Sequence, residues 1–347
     1  MTDWVVSSLS EDQRQSTSRV INQRLLFDLT QAEPIYPDTY EFTAQAYELG
    51  VALYLDGEDP SALRTASERA FEALRAGPMA EDVASWPVHI LNTACYGILA
   101  DRTPDVARFL RGVKVDDVSS DANWGERVRS RVVGLWLLLL RKDGWSDLDA
   151  VQRAVLDLRT EQEAAEREFL FASSAPREQA WNLVAAYHLA KAAEVLAVFC
   201  SQGAVGGAYD IREQLQAQFD RSLIACDRAE LVELHSLVRL LAATAEKIVS
   251  NSIWTVTRAV NSRVTKFVEK LAGRENPRPI FEMLPPQRIT LREQGLLGSG
   301  HRAVLVSLPT SSGKTFIAQF RILQALNQFD VERGWVAYVA PTRALVN

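Results

Sequence analysis

Along residues 1 to about 274 the apolar positions recur at helical steps, interrupted by short turn signals. Ala44 to Leu55 runs into Asp56-Gly57-Glu58-Asp59-Pro60, and Ser61 to Ala76 ends at Gly77-Pro78; the pattern predicts helix, turn, helix, stop. Asp59 or Ser61 offers a side-chain oxygen to the unpaired N–H groups that open the second helix, and Gly77 breaks its end. Leu148 to Phe171 is rich in Glu, Arg, Ala and Leu, all good helix formers. Trp181 to Cys200 sets Leu183, Tyr187, Ala190, Glu194 and Ala197 on one side. Gly203, Gly206 and Gly207 then separate it from a further helical run, Ile211 to Ser250.

Tyr47 to Pro78 resembles a tetratricopeptide-type hairpin in its small residues and terminal proline, but the pattern does not recur at a period near 34 residues. A nonrepeating helical domain is therefore expected. Its last helix carries an apolar stripe, Ile253, Val256, Val260, Val264, Phe267 and Leu271, with Arg263, Lys266, Lys270 and Arg274 on another face. That basic stripe has two readings: a track for a phosphate backbone, or cations drawn to a helix C-terminus.

At Gly273 to Pro286 the character changes. Four prolines, Pro277, Pro279, Pro285 and Pro286, mark a linker or an extended lead-in. Ala303 to Ser307 is an apolar run of the buried parallel-strand kind, Phe316 to Phe329 is helical, and Trp335 to Ala340 is a second such strand. The expected organisation is a mainly α-helical domain over 1–274, then the start of an α/β domain over 275–347.

Composition narrows the chemistry. A chain of 347 residues suits about two domains, and 47% hydrophobic with 24% charged residues excludes wholesale disorder. Cys95, Cys200 and Cys226 are too few and too scattered for a disulfide framework or a paired-cysteine zinc site, and the four histidines are equally dispersed. No signal-peptide pattern opens the chain, and the longest apolar run, Val132 to Leu140, falls short of the roughly 20 residues of a membrane span. A cytoplasmic protein with no membrane contact is expected. The net charge of -6 divides unevenly: residues 258–347 hold 13 Lys plus Arg against 6 Asp plus Glu, leaving 25 against 38 for residues 1–257. A polyanion partner would meet the C-terminal part.

Between the first expected strand and its helix lies Leu308-Pro309-Thr310-Ser311-Ser312-Gly313-Lys314-Thr315. Backbone N–H groups at the positive end of a helix favour phosphates, and Gly313 lets the chain approach them without a Cβ. Lys314 supplies a charge to the β- and γ-phosphates, and Thr315 a hydroxyl to the magnesium ion that bridges them. ATP and magnesium are the expected ligands. The glycine that opens the usual P-loop pattern is replaced by Leu308.

Pro309 to Thr315 resembles motif I of superfamily 2 helicases, the DEAD-box and Ski-type group, and Ala340-Pro341-Thr342-Arg343-Ala344-Leu345 resembles their motif Ia. Leu284-Pro285-Pro286-Gln287 resembles the segment whose glutamine reads adenine in that group. The resemblance covers about residues 280 to 347 and implies a RecA-like domain. It implies that Gln287, with Gln294 as the rival, reads the adenine. It further implies that Thr310, Ser311, Ser312 and Gly313 wrap the phosphates, and that Thr342 and Arg343 hold a DNA or RNA backbone. No clear counterpart exists for the aromatic residue that DEAD-box members place upstream of the glutamine, which favours the Ski-type branch.

The resemblance also implies parts not found in these residues: an Asp-Glu pair after a later strand and a second RecA-like domain with its arginines. Asp330 and Glu332 precede the second strand and cannot substitute. In the RecA-like sheet the two strands are not neighbours, so both would be left with unpaired edges. The expectation is the N-terminal piece of a larger ATP-dependent helicase or translocase, or a truncated product, without hydrolysis by these residues alone. The competing expectation is a helical protein-interaction module with an inert P-loop; a small-molecule kinase is disfavoured by the Pro-Thr-Arg turn.

Overall fold

The computed structural model describes residues 4–57, 59–78, 86–113, 124–172, 176–204, 206, 210–258, 261–297, 304–308, 312–329 and 334–339. Contacts group the chain into two compact units, Met1–Phe199 with Ala204–Val249, and Cys200–Gly203 with Ser250–Asn347.

The first unit is helical. Its elements are α1 (Trp4–Ser8), α2 (Glu11–Thr30), α3 (Tyr40–Tyr54), α4 (Pro60–Ala76), α5 (Trp86–Leu99), α6 (Thr103–Arg111), α7 (Trp124–Arg141), α8 (Trp145–Ala172), α9 (Pro176–Gln202), α10 (Ile211–Arg228) and α11 (Val232–Asn251). Local chemistry sets their ends. Ser10 and Gln13 close a reciprocal capping box on α2. Asp59, rather than Ser61, caps α4, its carboxylate accepting from the N–H groups of Ser61 at 2.9 Å and Ala62 at 3.1 Å. Between α7 and α8, Arg141 grips Asp147 with two bonds of 2.9 and 2.6 Å, and the Asp143 N–H adds a third. The expected run from Ile211 to Ser250 is two helices, because the chain turns back at Glu230 with a left-handed φ of 57°.

Packing follows chain order in part: α3 lies on α4, α4 on α5, α5 on α7 and α7 on α8. In the run Val132 to Leu140 of α7 every residue but Gly134 and Leu138 is buried. Trp136 is fully buried there, and its ring nitrogen donates to the Leu189 carbonyl at 3.2 Å, so the indole is both packed and satisfied. One described helix, Arg177–Gln202, is long and apolar enough to cross a membrane by length and composition, and 61% of its most apolar window is buried within the fold. His188, Lys191 and Glu194 interrupt its apolar residues, so no long unbroken apolar run marks it in the sequence.

The second unit contains α12 (Ile253–Val256), α13 (Ser262–Ala272), α14 (Pro285–Arg288), a π-helical turn over Ile289–Glu293, and α15 (Lys314–Gln328). The single helix expected from the stripe over 253–271 is thus two. Asn261 starts α13 afresh, its side chain accepting from the Val264 N–H at 3.0 Å. Val264 and Val268 join Ile253, Met283, Ile317 and Phe320 in one apolar cluster. Phe267 and Phe316 each meet Phe320 edge-on, with centroids 5.3 and 5.1 Å apart.

Two expectations differ from what is seen. Of its two readings the proline-rich stretch takes the extended lead-in: Phe281 and Met283 are buried, and backbone bonds of 3.0 Å join Ile253 to Phe281 and Met283 to Asn251. Contacts accordingly place residues 250–274 with the C-terminal unit, whereas the sequence places the division at 274. The two expected buried strands are also not formed. Among the described residues there is one isolated antiparallel bridge, Ser252 to Glu282, and no strand. In 304–308, Val306 and Leu308 pack against the apolar cluster while Leu305 is 97% exposed. In 334–339, Trp335 and Val339 are 82% and 87% exposed. A strand lacks internal hydrogen bonds, so these runs need neighbours from elsewhere in sequence to become buried strands.

Candidate nucleotide-binding site

The site is built from the start of α14 and the start of α15. Leu284 is the N-cap of α14 and Pro285 and Pro286 fill its first two positions, where missing N–H groups cost nothing. Gln287 is therefore the third helical residue. Its side-chain oxygen reaches back to accept the Leu284 N–H at 3.0 Å. Its side-chain nitrogen donates across to the Ser312 carbonyl at 3.3 Å. The Gln287 side chain, 8% exposed, thus ties the two segments together.

Gly313 follows with φ 83° and ψ 40°, the left-handed conformation, and is the N-cap of α15. A Cβ built there would lie 2.6 Å from the Gln287 side-chain nitrogen. The backbone angle favours glycine, and a side chain there would have to push the end of the Gln287 side chain aside. The Ile317 N–H returns to the Gly313 carbonyl at 3.0 Å, so the helix begins at once. Lys314 and Thr315 are exposed in its first turn. This donor set fits ATP and magnesium: an ammonium and a helix N-terminus for phosphates, and a hydroxyl for the metal.

Of the residues named from sequence, Gln287, Ser312, Gly313, Lys314 and Thr315 come together here. Thr310, Ser311, Thr342, Arg343, Asp330 and Glu332 lie outside the described residues. Gln294 is exposed, beyond the π-helical turn. For an adenine, the bonds already made by Gln287 leave its oxygen one lone pair and its nitrogen one proton, enough for a paired contact with the base edge. Sequence reasoning missed the Gln287–Ser312 bond. Half of the signal was present, since Leu-Pro-Pro-Gln is a helix start with a capping residue at its third position.

The helical unit has a cavity of about 810 Å³ lined by Val51, Leu55, Tyr96, Val133, Leu237 and Leu240 among others. None of the motif residues lines it.

No curated protein matches this sequence. Residues 286–347, at the C-terminal end of the chain, match the model of the DEAD/DEAH box helicase family, so this segment, which holds Gln287 and the Gly313-Lys314-Thr315 turn, is similar to the start of that family's helicase domain.

Proposed function

We propose that the C-terminal unit binds ATP with magnesium through Ser312, Gly313, Lys314 and Thr315, with Thr310 and Ser311 completing the phosphate loop. Gln287 reads the adenine, and Thr342 and Arg343 hold a DNA or RNA backbone, in an ATP-dependent helicase or translocase of superfamily 2. The observation that carries this is the left-handed Gly313 packed against the Gln287 amide, with Lys314 and Thr315 facing solvent in the next turn. A glycine in the left-handed conformation, immediately before an exposed lysine and hydroxyl, suits close approach of a phosphate chain. The similarity of residues 286–347 to DEAD/DEAH box helicases supports the same reading.

The test is a titration of the 347-residue protein with fluorescent ATP and GTP analogues in the presence of magnesium. Saturable binding that prefers the adenine nucleotide, is lost in Lys314→Ala and loses its base preference in Gln287→Ala is the expected result. Equal affinity of wild type and Lys314→Ala would remove the P-loop assignment.

A further inference from the structure

We infer that the basic face of α13 is a second contact for a nucleic-acid backbone, outside the segment that matches the helicase family; the inference rests on the nucleic-acid reading of this unit. Val264, Val268 and Ala272 are buried and Phe267 and Leu271 half-buried, whereas Arg263, Lys266, Lys270 and Arg274 are all exposed. At about 100° per residue Arg263, Lys266 and Lys270 fall within one face of about 60°; Arg274 lies just past the end of the helix at Ala272. Glu269 is the one acidic residue of the helix.

The helix dipole does not account for this row. Cations are favoured in a last turn, which suits Lys270, but Arg263 stands in the first turn, where the partial charge is positive and a cation is opposed. Nor does the row suit a small anion. From Arg263 to Lys270 it extends about 10 Å along the axis at about 1.5 Å per residue, the length of about three phosphates of one strand at about 3.4 Å each. The face is also fixed to the nucleotide site. Phe267, on the inner side of α13, meets Phe320 of α15, the helix that Lys314 opens. Residues 258–347 carry 13 basic against 6 acidic side chains, so the surroundings favour a polyanion.

The test uses the 347-residue protein and fluorescein-labelled single-stranded DNA and RNA of one sequence, followed by anisotropy between 50 and 300 mM NaCl. The variants are Lys266→Ala/Lys270→Ala, the same pair changed to Arg, the same pair changed to Glu, and Arg343→Ala. Removing two phosphate contacts should weaken binding by about tenfold or more at 0.1 M salt and flatten the log–log salt dependence by about 1.4, at about 0.7 per single-strand contact. The arginine pair should bind as wild type, and the glutamate pair more weakly than the alanine pair. Unchanged affinity and slope in the alanine and glutamate pairs, with Arg343→Ala impaired, would overturn this contact and leave the helicase reading standing. No binding by the wild-type protein would overturn both. Displacement of the oligonucleotide by polyglutamate at equal charge concentration would overturn it in favour of an acidic protein partner.

Discussion

Two apolar runs of similar strength end in opposite environments. Val132 to Leu140 in the helical unit puts Val132, Val133, Leu135, Trp136, Leu139 and Leu140 inside the fold, whereas the runs around Leu305 and Trp335 in the C-terminal unit leave those two side chains in solvent. The difference lies in where the backbone finds its partners. A helix closes its N–H to C=O bonds within its own run and needs only a neighbour for its apolar stripe. A parallel strand needs other strands on both edges and helices on both faces. Among the described residues α7 thus buries its apolar run, and the segments flanking α15 leave theirs largely exposed.

The largest effects separate the two regions. Trp136→Ala leaves a cavity and removes the bond to the Leu189 carbonyl, and should cost about 3–5 kcal/mol in denaturant unfolding. Leu305→Ala, at a side chain that touches almost nothing, should change stability by no more than about 0.5 kcal/mol. A cost at Leu305 approaching that at Trp136 would mean that the strand segment is buried in solution. Asp147→Ala comes next, because it removes a nearly buried carboxylate from Arg141 and from the Asp143 N–H. Arg141 keeps partial solvent contact, so a loss of about 2 kcal/mol is expected, below the range for a fully buried pair.

Much of the helical unit was legible in sequence because a 3.6-residue period, Asp59 and Gly77 are local signals. The break before α13 was legible too, since Asn261 is a helix-starting residue, but the apolar stripe ran through it and masked it. The turn that opens α15 could be read from Gly313-Lys314-Thr315. The bond from Gln287 to Ser312 could not, because it joins residues far apart in sequence and no periodicity encodes it. The exposure of Leu305 and Trp335 was hidden for the same physical reason: an apolar run reports what it can bury against, not whether those partners are present.

Smaller effects sharpen the contrast within the site and the helical core. Gly313→Ala forces a side chain into the left-handed region and against the Gln287 amide, and should cost about 1–2 kcal/mol while weakening ATP-analogue binding. Free accommodation of alanine there would show that residue 313 does not hold the left-handed angle in solution. In the helical unit, burial raises the Glu48 carboxyl above its ordinary value, although the Tyr96 hydroxyl donates to it at 3.3 Å. A raised carboxyl pKa means that the folded state holds its proton to higher pH than the unfolded chain, so stability falls as pH rises through and above the usual carboxylate range. Glu48→Gln should therefore raise the melting temperature at pH 7 and leave it nearly unchanged at pH 3; equal effects at both values would exclude a desolvated charge.

The central claim is that Lys314, opening α15 behind the left-handed Gly313, holds a nucleotide's phosphates. Calorimetric melting of the 347-residue protein with ATP and magnesium tests it most directly. At ATP a hundredfold above its dissociation constant, wild type should gain about 2.7 kcal/mol, and Lys314→Ala should gain nothing. An equal gain in Lys314→Ala, or none in wild type at millimolar ATP, would contradict the account.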